Sequence, residues 1–173
     1  MNKLLVVVDY QNDFIDGALG FKQAKAIASS IVKKVQTAIK DKNDIVFTMD
    51  THDQNYLKTI EGKSLKIKHA IQNTHGWQLH KSLLPYVKYG TVIIKNSYGA
   101  DELVDYLRKY SYKQIEFIGV VTSMCVLSNV VIARAIQPEA QIIVNRKLVA
   151  DSNKQLSDAT FKILKNINVV IKS

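Results

Sequence analysis

The stretch Ile115–Ala135, IEFIGVVTSMCVLSNVVIARA, contains a strand, a turn and a helix in one continuous segment. Its first part, Ile115–Val121, is an apolar run rich in β-branched residues, which is typical of a strand buried on both faces. Thr122 and Ser123 follow it as good N-cap residues, and apolar side chains then recur at helical spacing. The segment therefore predicts a strand that leads into a helix, with Cys125 in the first helical turn.

Cys125 is the only cysteine of the chain, and two interpretations of it are open. Free backbone N–H groups and the positive end of the helix dipole at a first turn favour a thiolate, which predicts a lowered pKa and a nucleophile. The alternative is a small buried core residue, which is the more common role of a lone cysteine on an apolar helix.

The rest of the chain repeats the alternation of strand and helix. Because the predicted strands are nearly continuous apolar runs, they indicate a mostly parallel sheet covered by helices on both faces. The predicted strands are Lys3–Asp9, Asp44–Met49, Thr91–Ile94, Ile115–Val121, Gln141–Val144 and Val169–Ile171. The predicted helices are Lys22–Lys40, Asp101–Tyr110, Met124–Ile136 and Asn153–Lys165. With no repeat and no linker-like composition, we expect a single domain over residues 1–173.

Bulk composition favours a globular protein of the cytoplasm. The chain has 173 residues, 47% of them hydrophobic and 23% charged, which suits one domain with a sizeable core. A single cysteine allows no internal disulfide and fits a reducing compartment. The amino terminus lacks the pattern of a signal peptide, and no apolar run reaches membrane-spanning length, so we expect no membrane association.

The formal net charge of +9 raises the question of nucleic-acid binding. The lysines are scattered, the longest basic run is Lys33-Lys34, and no zinc-finger spacing, RNP-like aromatic pattern or basic arm is present. We therefore interpret the charge as a lysine-rich surface and expect no nucleic-acid partner.

Four predicted strands end on chemically complementary groups, which are Asp9, Asp50, Lys95 and Cys125. In open α/β sheets, sites form outside the carboxyl ends of the strands. Each residue alone is commonly the point where the chain meets water, but together an acid, an amine and a thiol can activate one another. Asp9 can act as the general base for the thiol, and Lys95 can stabilise both anions. A cysteine–histidine pair is the less favoured alternative, because no histidine ends a predicted strand.

A second cluster is Asp50-Thr51-His52 with His69 further along the chain. In an extended chain, residues at i and i+2 point to the same side, so Asp50 and His52 can share a ligand. With a second imidazole they give an oxygen and nitrogen set suited to zinc, iron or manganese. A surface acid with two ordinary histidines is the alternative.

These residues lie in segments that resemble the isochorismatase-like cysteine hydrolases, and within them the nicotinamidase and pyrazinamidase branch. The matching segments occur in the family's order and cover nearly the whole chain. They are VVVDYQNDF at Val6–Phe14, DTH at Asp50–His52, EGKSLKIKHAIQNTHGW at Glu61–Trp77, IIKNSYGA at Ile93–Ala100 and GVVTSMCV at Gly119–Val126.

The resemblance implies a three-layer α/β/α fold around a six-stranded parallel sheet. It implies Asp9, Lys95 and Cys125 as a catalytic triad, and an oxyanion hole formed by the backbone N–H groups of Val121 and Cys125 next to a cis peptide bond at Val120–Val121. It also implies a divalent metal, zinc first and iron or manganese as alternatives. Its implied ligands are Asp50, His52 and His69, with Glu61 as a possible further ligand.

The implied activity is hydrolysis of a small planar carboxamide, nicotinamide first, to nicotinate and ammonia through a thioester. By resemblance, the metal takes the ring nitrogen of the substrate. Alternatives within the class are another small amide, an N-carbamoyl compound or an isochorismate-type vinyl ether, and outside it a non-catalytic binding module. We also expect a homo-oligomer.

Three positions depart from the family pattern. Ala70 stands where the family often has cysteine, Ser123 where it often has an acid, and Thr51 where many nicotinamidases have tryptophan. The last change removes an expected pocket wall. Phe14 and Tyr98 remain candidates for stacking on a flat substrate ring, with ordinary packing as the alternative for each.

Overall fold

The computed structural model describes residues 2–173 and contains one six-stranded parallel sheet. Its order is β3-β2-β1-β4-β5-β6, so the direction of winding reverses between β1 and β4. The strands are β1 (Lys3–Val8), β2 (Asp44–Asp50), β3 (Thr91–Lys95), β4 (Gln114–Val120), β5 (Gln141–Ala150) and β6 (Val170–Lys172). The prediction of a six-stranded parallel sheet is confirmed.

Helices cover both faces of the sheet and create two hydrophobic cores. Alternate residues of β1 show the division, because Val6 packs into one core and Val7 into the other. Helices α5, α6 and α7 contribute to the first core, and α2 and α3 to the second. The helices are α1 (Asn12–Ile15), α2 (Lys22–Ala26), α3 (Ala28–Lys40), α4 (Ile60–Ser64), α5 (Asp101–Lys109), α6 (Leu127–Ile136) and α7 (Lys154–Asn166). Short 3₁₀ turns lie at Tyr56–Lys58 and Leu84–Tyr89.

Several predicted boundaries differ from the observed ones. The predicted helix Lys22–Lys40 is divided at Ile27, which separates α2 from α3. The strand predicted at Gln141–Val144 continues to Ala150, because pairing with β4 resumes after a register shift. The helix predicted to start at Met124 instead begins as a π-helical turn at Thr122–Val126, before α6.

Gly119 is required where β4 passes closest to β1. Its φ of +114° is rarely adopted by other residues, and a Cβ atom there would overlap the carbonyl oxygen of Val8. A glycine therefore lets the end of β4 lie against β1, next to the segment that carries Cys125. Among residues 2–173, no helix is both long enough and apolar enough to cross a membrane.

Candidate active site

The carboxyl edge of the sheet brings the four predicted strand-end residues together. Asp50 and Lys95 are register partners at the ends of β2 and β3. Asp9 directly follows β1, and Cys125 lies in the π-helical turn after β4. Because all the strands run in one direction, their last residues meet at the point where the winding of the sheet reverses.

The Lys95 ammonium lies at the centre of this cluster. Its Nζ atom is 2.8 Å from Asp9 Oδ2 and 3.1 Å from Asp50 Oδ1. It donates to the carbonyl of Ser97 at 2.8 Å and lies 3.5 Å from Cys125 Sγ. The Lys95 side chain is 0% exposed, so these partners replace its water shell. One buried cation thus contacts the acid, the thiol and a second carboxylate.

Burial and charge act against each other at this cluster. Burial acts to lower the pKa of Lys95, but the nearby carboxylates of Asp9 and Asp50 outweigh it and raise that pKa, so the amine is an ammonium. Burial raises the pKa of Asp9 above its ordinary value, and Lys95 opposes this only in part. Asp9 is consequently a stronger proton acceptor than an exposed aspartate.

The thiol of Cys125 does not show the lowered pKa that its position in a first turn predicts. Burial raises its pKa well above the ordinary value, and the charge of Asp9 adds to this effect, while Lys95 only partly offsets both. The prediction of a low pKa is therefore wrong for the resting site. Loss of water outweighs the local helix field because the side chain is buried. In this state Cys125 carries its proton beside Asp9, which can accept it.

Two residues outside the predicted set hold this cluster in place. Thr48 in β2 donates its hydroxyl to Asp9 Oδ1 at 2.6 Å, and Asp9 itself has a φ of 45°. Asn129 in α6 donates to the carbonyl of Cys125 at 2.8 Å. Sequence reasoning missed both, because a threonine inside a strand and an asparagine inside a helix carry no motif that would assign them to a site.

Asp50, His52 and His69 are all buried and form a cluster that can hold a metal ion. One ligand atom from each lies within 4.8 Å of the others. Nε2 of His52 is 3.0 Å and Nε2 of His69 is 3.5 Å from Asp50 Oδ2. Burial acts to raise the pKa of Asp50, but the two histidines and Lys95 lower it, so the carboxylate is ionised. Two imidazole nitrogens and one carboxylate oxygen fit a divalent ion such as zinc.

Glu61, from the first turn of α4, lies beside the same cluster. Its Oε1 atom is 3.6 Å from His69 Nε2 and 4.0 Å from His52 Nε2. The hydroxyl of Tyr56 contacts the same oxygen at 3.4 Å. Nδ1 of His69 lies 2.9 Å from the carbonyl of Ile67, which directs the Nε2 atom of that ring into the cluster. Glu61 is thus within reach of an ion held by the other three residues.

A short segment after β1 connects the cluster around Lys95 to the cluster of Asp50, His52 and His69. The amide of the buried Gln11 bonds both the N–H and the carbonyl of Asp50, each at 2.8 Å. Asp13 accepts from the N–H of Ala70, directly after His69, at 2.8 Å. The geometry shows that these side chains fix the backbone on which the metal-binding residues stand.

Trp77 supports the metal-binding loop from the side of the core, as its indole N–H donates to Thr51 Oγ1 at 2.7 Å. The tryptophan packs against the core that α3 covers and does not line the catalytic cavity. Thr51 therefore bonds a core residue at the position where a pocket wall is expected from the family.

A cavity of about 710 Å³ opens onto this arrangement. Cys125 and Asp50 line it together with the two predicted stacking residues, Phe14 and Tyr98. Phe14 is buried and packs edge-on against the ring of His69, with 5.5 Å between the ring centroids, whereas Tyr98 is partly exposed. Both aromatic rings therefore face the space where a substrate would lie.

The turn that carries Cys125 also forms a wall of the cavity. The peptide bond Val120–Val121 is cis, as predicted. Asp151, directly after β5, accepts from the N–H of Ser123 at 2.9 Å. Sequence reasoning missed Asp151, although it follows an apolar run in the same way that Asp9 and Asp50 do. The carboxylate of Asp151 thus lies beside Ser123, the position where the family often has an acidic residue.

The chain matches a family model over residues 3–173, described as the isochorismatase domain. Among known proteins, it is 28% identical to a nicotinamidase/pyrazinamidase of Mycobacterium tuberculosis over 140 residues, which covers 72% of this chain and 74% of that protein.

Solved structures give the same result. The crystal structure of nicotinamidase PncA from Bacillus subtilis superposes with a TM-score of 0.87 at 28% identity, covering 100% of both chains. The pyrazinamidase of Pyrococcus horikoshii, solved in complex with zinc, superposes with a TM-score of 0.88 at 23% identity, covering 99% of this chain and 98% of that chain. The latter likeness shows the shared fold.

Proposed function

The chain belongs to the isochorismatase family, and from this membership we propose that it is a metal-containing cysteine amidohydrolase that converts nicotinamide to nicotinate and ammonia. The observation that carries the proposal is the buried Lys95 ammonium, which contacts Asp9, Asp50 and Cys125. The relatives named nicotinamidase support nicotinamide as the first substrate to test.

In the proposed reaction, Asp9, Lys95 and Cys125 act as one unit. Asp9 takes the proton of the Cys125 thiol, and the sulfur attacks the amide carbon. Lys95 stabilises the negative charge that moves between sulfur and carboxylate. Asp9 then returns the proton to the amide nitrogen as the carbon–nitrogen bond breaks and ammonia leaves. Water, deprotonated by Asp9, hydrolyses the thioester and releases nicotinate and free Cys125.

The backbone N–H groups of Val121 and Cys125 are assigned to the oxyanion that forms during attack. Nearby donors of the same turn are already engaged, since Met124 and Val126 donate to the Val121 carbonyl, both at 3.1 Å, and Ser123 donates to Asp151. These bonds hold the turn in one conformation, so its remaining donors need no reorganisation during the reaction.

Asp50, His52 and His69 would hold the divalent metal, zinc first, with Glu61 as a further ligand. When bound, the ion supplies an electrophile for a ring nitrogen and so orients the carboxamide. Phe14 and Tyr98 would pack on the faces or edges of the substrate ring. The protein residues between the metal cluster and Cys125 then set the distance between the ring and the thiol.

Isochorismate fits this cavity less well than a neutral amide does. Within the described residues 2–173, the cavity lining contains no lysine or arginine. A substrate with two carboxylates would therefore lose the hydration of both and gain at most the bound metal ion as a cationic partner. The lining favours an uncharged carboxamide.

The whole chain is proposed to work as one domain, in the cytoplasm, as a homo-oligomer without nucleic-acid or membrane partners. The lone cysteine and the scattered lysines support this part of the proposal.

The test is ammonia release from nicotinamide, benzamide and an N-carbamoyl amino acid, by metal-loaded and chelated enzyme whose metal content is measured. We expect nicotinamide to be the best of the three. Chelation should lower its kcat/KM by roughly 100-fold, while benzamide stays poor in both preparations. Alkylation of Cys125 by iodoacetamide should continue after chelation. If the metal-free enzyme hydrolyses nicotinamide at the metal-loaded rate, the metal has no role in positioning. If no amide releases ammonia, the proposed activity is wrong.

A further inference from the structure

The catalytic cavity is larger than nicotinamide needs. Its volume of about 710 Å³ lies in the range of sites that bind drug-sized ligands, whereas nicotinamide is one six-membered ring with one carboxamide. The metal cluster and Cys125 occupy only one part of the lining. The remainder continues away from them, along helix α7.

This extension of the cavity, which we call the α7 groove, is mainly apolar, although Asn153 and Thr160 also belong to the lining. On the helix side it is lined by Leu156, Ala159 and Ile163, and near the catalytic turn by Met124 and Leu127. Leu156 and Ile163 are two helical turns apart, so the groove follows about 10 Å of α7. This length suits a short alkyl chain or a second ring.

The apolar side chains that α7 contributes to the groove are not part of the core. Phe161 and Leu164, on the other side of α7, pack into the sheet, whereas Leu156 and Ile163 are each 53% exposed. The start of the helix is held by Asn153, whose side chain accepts from the N–H of Leu156 at 3.1 Å. The groove is therefore a firmly held apolar surface that opens directly into the catalytic cavity.

Polar recognition in the groove is limited because its nearest carboxylate already has partners. Asp151 accepts from the N–H of Ser123 and from the N–H of Asn153, both at 2.9 Å. Although the chain has a net charge of +9, the described lining provides no lysine or arginine for an anionic group. A phosphate or carboxylate substituent would have no cationic partner, whereas a hydrocarbon group would lose contact with water.

We propose that the α7 groove is a subsite for an apolar substituent, so that the preferred substrates are aromatic carboxamides bearing an alkyl or aryl group. This inference rests on the proposed amidohydrolase function and narrows its substrate class. Each methylene group that enters an apolar pocket contributes to kcat/KM, by about tenfold or more when burial is complete. Because the groove is half open, we expect about a tenfold gain for a propyl group.

The experiment compares nicotinamide with its 5-propyl, 6-propyl and N-propyl derivatives on the metal-loaded enzyme, by product formation. At least one propyl compound should exceed nicotinamide about tenfold in kcat/KM. Ala159→Trp, which places a large ring in the groove, should lower the ratio of propyl to unsubstituted substrate by at least about tenfold. Lys162→Trp is the matched control, because Lys162 is exposed on the same helix and does not line the cavity. It should leave the ratio unchanged.

Two results would overturn the inference and leave the amidohydrolase proposal intact. One is hydrolysis of nicotinamide without any preference for a propyl compound. The other is a wild-type dimer, detected by light scattering, that the substitution Leu156→Asp dissociates. If the wild-type ratio of kcat/KM for propyl to unsubstituted substrate also stays near one, a second copy of the chain covers the groove. If no amide is hydrolysed, calorimetry decides the subsite separately: tighter binding of 5- or 6-propylnicotinate than of nicotinate supports it, and equal binding rejects it.

Discussion

Two lysine–carboxylate pairs with buried carboxylates lie towards opposite ends of the sheet. At the carboxyl end, Lys95 contacts Asp9 with side chains that are 0% and 1% exposed. Towards the amino end, Lys34 of α3 contacts Glu116 of β4 at 2.5 Å, with side chains 30% and 4% exposed. The first pair adjoins a cavity of about 710 Å³, whereas the second adjoins one of about 70 Å³.

The two pairs differ in the burial of the lysine and in what surrounds it. Glu116 keeps a partner whose side chain still reaches water, and no thiol lies beside the pair. Lys95 has lost its water shell and contacts two carboxylates and the thiol. Full burial, a positioned nucleophile and space for a substrate are what separate the two pairs.

The largest effect is expected from Cys125→Ser. The substitution keeps the shape of the side chain but replaces sulfur with a much weaker nucleophile, so ammonia release from nicotinamide should fall by a factor on the order of 10⁴ or more. The thermal unfolding midpoint should change little, which separates loss of chemistry from loss of structure. Wild-type turnover in this variant would show that another residue attacks the substrate.

The next largest effect compares Lys95→Ala with Lys34→Ala. Loss of Lys95 leaves Asp9 and Asp50 buried without their cation, so turnover should fall by a factor on the order of 10³ and stability by about 3 to 5 kcal/mol. Lys95→Arg should rescue poorly, because a planar fork does not replace a compact ammonium.

Lys34→Ala should lower the free energy of unfolding by less than Lys95→Ala does, and it should leave kcat/KM for nicotinamide unchanged. Steady-state kinetics and chemical denaturation measure both variants. If Lys34→Ala and Lys95→Ala lose the same amount of activity, the full burial of Lys95 and the adjacent thiol do not make its pair functionally different from the Lys34 pair.

A smaller effect is expected in the pH dependence of kcat/KM for nicotinamide. Asp9 must be ionised to accept a proton, so kcat/KM should fall on the acid side as the pH drops through its folded-state pKa, which lies above the ordinary value of 3.8. The contribution of Asp9 to folding stability has the opposite direction. It is fully present below pH 3.8 and is lost as the pH rises through the folded-state pKa.

The check is the acid limb of kcat/KM in the wild type and in Asp158→Asn. Asp158 is a surface residue with a lowered pKa, bonded to Lys154, and it does not line the cavity. Its substitution should not move the limb. A wild-type midpoint at or below 3.8 would contradict the role of burial at Asp9.

The smallest effect is expected from Glu116→Gln. The amide retains the size of the side chain but loses the charge that pairs with Lys34, so we expect a loss of about 1 kcal/mol of unfolding free energy. Turnover of nicotinamide should be unchanged, because Glu116 does not line the catalytic cavity. A loss of activity without a loss of stability would show that the two ends of β4 are coupled.

The sequence by itself determined the sheet and the residues at its carboxyl edge. Apolar runs such as Lys3–Val8 and Gln114–Val120 are typical of a parallel sheet covered on both faces, and the residues at or shortly after the end of each run lie at its carboxyl edge. The identities of Asp9, Asp50, Lys95 and Cys125 therefore predicted a cluster, and the structure brings them together.

Boundaries that depend on partner segments were less predictable. Asn145, Arg146 and Lys147 have the polarity of a loop, yet they lie within β5 because Leu148–Ala150 resume pairing with β4. The start of α6 was likewise misplaced, because the π-helical turn is closed by bonds to Val121. The resumed pairing of β5 depends on where β4 ends and leaves no local pattern.

Only the tertiary structure decided the protonation state and the extent of the site. The position of Cys125 in a first turn predicts a low pKa, but burial beside Asp9 raises it. The carboxylate of Asp50 contacts both Lys95 and the two histidines. The cavity continues along α7 beyond the cluster around Cys125. Desolvation and enclosed volume arise from segments far apart in the chain, so the sequence order of residues does not encode them locally.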